Sequence, residues 1–269
     1  MQGARFISST SNPRVRDALR LRRRSHRDKA DLLLVEGFRE VRRAADNGYW
    51  PRTLFFCTDF FLGENEPELI EACGRAGTEL VECARPVFAK LSYRDRPDGI
   101  LALSPQLHRQ LGDLRMPGAP LLIVAEAIEK PGNLGTILRS ADGAGADAVI
   151  VCDRCTDLSN PNVVRASVGT LFCLPVAEAS SNDTLAWLRK HDIRILAATP
   201  HAKTVYYDAP LAAGVAIVVG TEQYGLSDLW LKNADLRVRI PMRGQSDSLN
   251  VGTATTLLLY EALRQRKLS

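Results

Sequence analysis

The chain has 269 residues, 45% of them hydrophobic and 25% charged, with a net charge of +4. That is enough apolar chain for one large domain or two modest ones, and it excludes a disordered or fibrous polypeptide. No run of about 18 apolar residues occurs, and MQGARFISSTSNPRVR lacks the apolar segment of a secretory leader, so the expectation is a cytoplasmic protein with no membrane partner.

Residues 1–29 carry nine Lys/Arg against Asp17 and Asp28, a local excess of seven. The block RLRRRSHRDK, containing Arg22, Arg23 and Arg24, would attract a polyanion, because phosphate contacts dominate nucleic-acid affinity. A solvated helix face explains that stretch equally well. DLLLVEGFREVRRAADNG (31–48) then reads as a short strand and a helix ending at Asn47-Gly48. TLFFCTDFF (53–61) predicts a strand, EPELIEACGRAG (66–77) a helix stopped by glycine, ELVECA (79–84) a strand, and GILALSP (99–105) closes a small α/β unit. QLHRQLGDLRMPGAP has turn signals without a sustained period and reads as a linker, taken as 106–119.

From residue 121 the pattern changes. LLIVAE (121–126), AVIVCD (148–153), a short LFCLPVA (171–177), IRILAAT (193–199), VAIVVG (215–220) and LRVRI (236–240) are strand candidates, separated by helical stretches such as 133–144, 182–190 and 226–232. Near-continuous Val/Ile/Leu runs predict strands buried on both faces of a parallel sheet, in a second α/β domain. A long last helix has Leu249, Val251, Ala254, Leu257, Leu258 and Ala262 as its expected core. The six cysteines lack the spacing of a disulfide framework, and Cys152 and Cys155 form a CxxC with no second pair, so neither a metal nor a redox role is expected.

KPGNLGTILRSADGAGA (130–146) follows a strand and opens a helix, which suggests a dinucleotide cradle. Its glycines have the wrong spacing, Gly132-x-x-Gly135, and the fingerprint has no role for Arg139. The C-terminal third offers VAIVVGTEQYGLS (215–227), then VRIPMRGQSDSLNVGTATTLLLYEALRQR (238–266): two strands that end in polar loops, where α/β sheets place ligands.

Taken together, N133-L-G-T-I-L-R139, G220-T-E222-Q-Y-G225-L-S227 and I240-P-M with S248-L-N250-V resemble the three signature motifs of the SpoU/TrmH branch of the SPOUT RNA ribose 2′-O-methyltransferases. The resemblance covers residues 120–266, and the N-terminal 105 residues resemble, less specifically, a small ribosomal-protein-like RNA-binding domain. It implies an α/β protein with a substrate-binding domain over 1–105 and a SPOUT domain over 120–269, the latter a parallel sheet with a deep trefoil knot. It further implies an S-adenosylmethionine cofactor, a homodimer with active sites at the subunit interface, and an RNA substrate, expected to be 23S ribosomal RNA. A tRNA ribose methyltransferase and a catalytically silent RNA-binding protein on the same fold are the alternatives.

By the same resemblance, Gly220, Ile240 and Leu249 hold the cofactor through their backbone, with Thr199 and Pro200 lining it. Arg139 is the expected catalytic residue, accompanied by Asn133, Glu222, Ser248 and Asn250, and Arg165 resembles a family arginine that meets RNA phosphate. A guanidinium stays protonated, so Arg139 is better suited to fork onto a phosphate and orient the hydroxyl than to remove its proton. A bland alternative pairs Arg139 with Glu126 or Glu222; no metal is required.

Overall fold

The computed structural model of the protein describes residues 4–268. The chain begins β1 (Arg5–Ile7), α1 (Pro13–Arg20), α2 (Arg24–Ala30), β2 (Leu32–Glu36), α3 (Phe38–Asp46), β3 (Thr53–Phe56), α4 (Glu66–Arg75), β4 (Glu79–Cys83), α5 (Arg85–Leu91) and β5 (Ile100–Pro105). It continues with β6 (Leu121–Glu126), α6 (Pro131–Gly143), β7 (Ala148–Cys152), α7 (Pro161–Ala166), β8 (Val176–Ala179), α8 (Ser181–Lys190), β9 (Arg194–Ala198), β10 (Thr204–Val205), β11 (Val215–Val219), α9 (Asp228–Asn233), β12 (Leu236–Arg239) and α10 (Val251–Leu268). Helix starts follow local chemistry: the Asn12, Asn160 and Ser180 side chains accept from backbone amides two or three residues on, and Pro13 and Pro161 occupy first-turn positions.

Two compact units separate, one formed by the residues through Leu107 with Asp157–Cys173, the other by His108–Thr156 with the chain from Leu174 on. The first has a five-stranded sheet, β1-β4-β3-β5-β2, in which β5 runs antiparallel to both neighbours. Ile7, Val15, Leu34, Phe55, Val81, Phe88 and Leu101 pack on one of its faces.

The segment 157–173, which the sequence reading places in the C-terminal domain, packs with this first unit, and a buried ion pair is part of the reason. Arg27, 2% exposed, donates to both Asp157 carboxylate oxygens at 3.0 and 3.2 Å and to the Leu21 and Arg22 carbonyls at 3.0 Å. Removing one partner strands a buried charge, so Asp157→Ala is expected to lower stability by about 3–5 kcal/mol. Urea denaturation measures this; an unchanged midpoint would show that Arg27 reaches water. The basic block is thus partly structural. Arg22 donates to the Lys90, Leu91 and Ser92 carbonyls at the end of α5, Arg24 lies 3.5 Å from Asp28, and Arg23 is exposed with no partner among the described residues.

The second unit has a seven-stranded, all-parallel sheet in the order β10-β12-β9-β11-β6-β7-β8. LLIVAE, AVIVC and VAIVV are buried along their whole length, as expected of strands covered on both faces. The strand expected at 171–177 forms later, at Val176–Ala179, because Thr170–Phe172 make a 3₁₀ turn and Pro175 has no N–H to give to a ladder. The segment read as a linker is not bare: Leu114 is buried, and Leu111 and Met116 pack beside it against the apolar cluster that contains Trp230. In α10, Val251, Leu258 and Ala262 are buried as expected, whereas Leu257 is 37% exposed and Thr255 and Leu259 take core places.

Cys152 is buried and bonds to the Thr184 hydroxyl at 3.2 Å, and burial pushes its thiol up to about 12, while Cys155 is exposed. No described helix is long and apolar enough to cross a membrane.

Candidate active site

Parallel pairing brings the C-terminal ends of β12, β9, β11 and β6 side by side, so the loops beginning at Ile240, Thr199, Gly220 and Ala127 leave the same edge of the sheet. That edge is where an open α/β sheet forms its ligand crevice. Thr221 and Gly225 exchange two backbone hydrogen bonds, of 3.0 and 3.1 Å, closing a tight loop with Gly225 at φ +69°. This loop folds its Gly225 carbonyl over Gly220, where an added Cβ would lie 2.2 Å from the carbonyl oxygen. Only glycine fits there.

Helices α6 and α10 run parallel in close contact. Asn133 meets Asn250, Ser140 bonds to Thr256 at 2.6 Å, and the Tyr260 hydroxyl donates to the Gly143 carbonyl at 3.5 Å. Gly252 allows the approach, since a Cβ there would sit 2.8 Å from the Thr136 methyl. At the mouth of this helix pair the Asn250 amide donates to Asn133 Oδ1 at 3.0 Å and to Glu222 Oε1 at 2.6 Å. Its own carbonyl oxygen accepts from the Gly252 and Thr253 amides, so Asn250 is held as the cap of α10 while it joins the other two motifs.

Glu222 Oε2 also receives a hydrogen bond from Lys130 Nζ. That bond comes first among the causes that hold the Glu222 carboxyl below its ordinary range, with further help from Asn133 and Asn250. Lys130 was not visible as a site residue in the sequence; its opposite charge to Glu222 and its place just before Pro131 are the only signals, and 92 residues separate the pair.

Of the other predicted residues, Gly220 is buried, Thr199, Ile240 and Leu249 are partly buried, and Pro200 and Ser248 are exposed. The backbone amides of Ile240 and Leu249 have no hydrogen-bond partner among the described residues. A purine-bearing sulfonium ligand would suit this edge, with apolar Ile240, Leu249 and Pro200 side chains beside unused backbone donors. Arg165 is exposed on α7 in the first unit.

Arg139 is exposed, and its side chain makes no hydrogen bond or ion pair among the described residues. Neither suggested acid holds it: Glu126 accepts the Ser227 amide at 2.9 Å, and Glu222 is taken by Lys130 and Asn250. Six residues along α6 turn Arg139 about 120° away from Asn133. Within one chain, the arginine therefore stands apart from the Asn133–Glu222–Asn250 cluster.

The profile of the SpoU rRNA methylase family matches residues 120–260, and that of the MRM3-like substrate binding domain matches residues 12–102. The 23S rRNA (uridine(2479)-2′-O)-methyltransferase of Streptomyces viridochromogenes is 31% identical over 90% of this chain and 86% of its own length. A solved RNA 2′-O ribose methyltransferase superposes with a TM-score of 0.86 at 43% identity, over 97% of this chain and 99% of its own. The AdoMet-bound rRNA methyltransferase of Sinorhizobium meliloti superposes with a TM-score of 0.89 at 29% identity, over 97% and 98% of the two chains.

Proposed function

Because this chain belongs to the SpoU rRNA methylase family, we propose that it methylates a ribose 2′-hydroxyl of 23S ribosomal RNA. It is an S-adenosylmethionine-dependent RNA methyltransferase with an N-terminal substrate-binding domain. The observation that carries the reading is the Asn250 amide, which joins Asn133 and Glu222 from motifs 117 and 28 residues away. That bond network fixes the loops at the strand ends against one another before substrate arrives.

The bound cofactor supplies an electrophilic methyl group. Gly220, Ile240 and Leu249 hold it through backbone groups, and Thr199 and Pro200 line the same edge. Arg139, charged and unpaired, forks onto the phosphate next to the target ribose and orients the hydroxyl, whose proton leaves to that phosphate or to water. Ser248, exposed two residues before Asn250, belongs to the same motif.

Two finer features belong to this reading. The first is a homodimer in which Arg139 serves the partner's cofactor; Leu257 and Tyr260, 37% and 50% exposed on α10, and Tyr224, 77% exposed in the motif loop, supply apolar surface for it. The second is the trefoil knot. Ala198, Val238 and Thr204 lie abreast with β12 in the middle, yet only Thr199–Lys203 connect the outer strands, so that short segment has to pass across β12. Such a connection is far shorter than an ordinary parallel crossover of about a dozen residues.

Labelled S-adenosylmethionine incubated with protein and unmodified 23S rRNA should place methyl on one ribose, mapped by mass spectrometry. Methyl on a base, or on tRNA alone, would overturn the reading.

The Lys130–Glu222 pair gives a pH dependence. Glu222 is depressed below its ordinary 4.5, so its contribution to the closed loop is complete above that value and is lost as pH falls through the depressed one. Lys130→Met removes the first cause of the depression. The acid limb of the methylation rate is then expected to move upward towards 4.5, and coincident profiles for the two proteins would show that the pair does not hold the loop.

A further inference from the structure

Among the described residues of the second unit, Glu126 is the one buried acid, 5% exposed. It ends the run LLIVAE, where an apolar side chain would cost less to bury, and no Lys or Arg pairs with it among the described residues. Its Oε2 instead accepts the Ser227 amide at 2.9 Å. A buried carboxylate without a counter-ion thus stands at the C-terminal end of β6, on the cofactor edge.

The strand register places it next to the motif loop. Ala125 pairs with Val219 in the parallel ladder of β6 and β11, so Glu126 follows beside Gly220, where the loop begins. Two Thr221–Gly225 bonds close that loop near its start, and the Ser227–Glu126 bond fixes its far end. Ala127 then turns with φ +50°, a left-handed conformation that a residue other than glycine keeps only where its surroundings impose it, and its amide donates to the Cys152 carbonyl at 2.9 Å. That turn leads to Lys130, which bonds to Glu222 within the same loop. Residues 126–130 therefore grip loop 220–227 twice. Helix α9, which follows, has an anchor of its own: Trp230 is fully buried, and its indole N–H donates to the Ser181 hydroxyl at 3.0 Å.

We propose that Glu126 is a positioning residue for methyl transfer: by holding the Ser227 amide it keeps loop 220–227 in the closed form that receives S-adenosylmethionine. It acts through the loop and not by contact with the reacting atoms. A protein whose loop is open has to close it on binding, so the apparent cofactor affinity falls with the closed fraction. A role confined to propping α9 predicts lower thermal stability with cofactor affinity intact, and Trp230 already supplies that prop. The inference rests on the cofactor site proposed above.

Calorimetric titration of S-adenosylmethionine into the full-length protein reads the closed fraction. Glu126→Ala is expected to bind the cofactor about tenfold or more weakly, the order of loss that an unmade hydrogen bond to a carboxylate gives, with 23S rRNA affinity within about twofold of the unaltered protein. Glu126→Gln keeps an acceptor oxygen at the same place and should restore cofactor affinity to within about threefold. Glu126→Ala combined with Gly220→Ala should weaken binding by less than the product of the two single effects, because both open one loop. Ser227→Pro deletes the donor from the other side, at a φ of −65° that proline adopts, and should match Glu126→Ala; it carries the test should the alanine variant not fold. Unchanged cofactor affinity in Glu126→Ala or in Ser227→Pro overturns the proposal, and so does full additivity with Gly220→Ala. It is equally overturned if Glu126→Gln is as weak as Glu126→Ala, because the charge and not the held amide then acts, or if RNA affinity falls in parallel, which marks general disruption. Failure of the unaltered protein to methylate any ribose is a separate result and defeats the functional reading instead.

Discussion

Arg139→Ala is expected to lower the single-turnover methylation rate at saturating RNA by about a hundredfold or more, with S-adenosylmethionine affinity within about twofold of the unaltered protein. The structure leaves this guanidinium without a carboxylate or carbonyl partner, so its removal exposes no buried group and should not disturb the fold. A fork that aims the target hydroxyl acts on the rate even when RNA is saturating, because misaimed RNA still binds through its other contacts. Arg139→Lys keeps the charge but loses the planar two-pronged donor, and it should remain impaired by at least about tenfold. The assignment fails if Arg139→Ala weakens RNA binding alone and the saturated rate survives. Mixing inactive Arg139→Ala protein with a variant defective in cofactor binding adds a test of the dimer. If the arginine serves the partner's site, hybrid dimers contain one site with both an intact arginine and an intact cofactor edge, and part of the activity returns.

A suitable cofactor-defective partner follows from the second large effect. Gly220→Ala is expected to weaken S-adenosylmethionine binding by about tenfold to a hundredfold, the range that overpacking of about 1–3 kcal/mol produces. The added methyl would lie 2.2 Å from the Gly225 carbonyl oxygen and 2.8 Å from the Leu226 amide nitrogen. Both neighbours are backbone, so neither can swing aside as a flexible side chain would, and the loop that carries Glu222 has to open. Gly225 is the contrast. Its φ is +69°, and a Cβ there meets nothing within 4 Å, so Gly225→Asn, which tolerates left-handed backbone, should cost far less. Calorimetric titration of the cofactor into both variants compares them directly. Equal affinities for the two would show that the loop is not closed against Gly220 in solution.

The central strands of the second unit were legible in the sequence because each is a continuous apolar run, and burial on both faces leaves no other composition open to them. LLIVAE, AVIVC and VAIVV are strands to within a residue of the expected bounds. Local signals failed where partners are remote. Leu257 looked like core by helical period, yet α6 occupies a different side of α10, and Thr255 is buried in its place while Leu257 remains 37% exposed. In the basic block, Arg27 reads like its neighbours but is buried against Asp157, 130 residues away, and Arg22 is spent on the end of α5.

The sequence by itself determined the class of this protein: two α/β regions, three motifs that resemble those of the SpoU/TrmH RNA ribose methyltransferases, and an arginine with no place in a nucleotide cradle. Only the tertiary structure decided which of those residues act together. Asn133, Glu222 and Asn250 form one hydrogen-bonded unit, Lys130 joins it, and Arg139 is left free on another side of its helix. Periodicity fixes which way a side chain points from its own element. A bond of about 3 Å between loops a hundred residues apart depends on how the strands are ordered in the sheet, and no local pattern records that order.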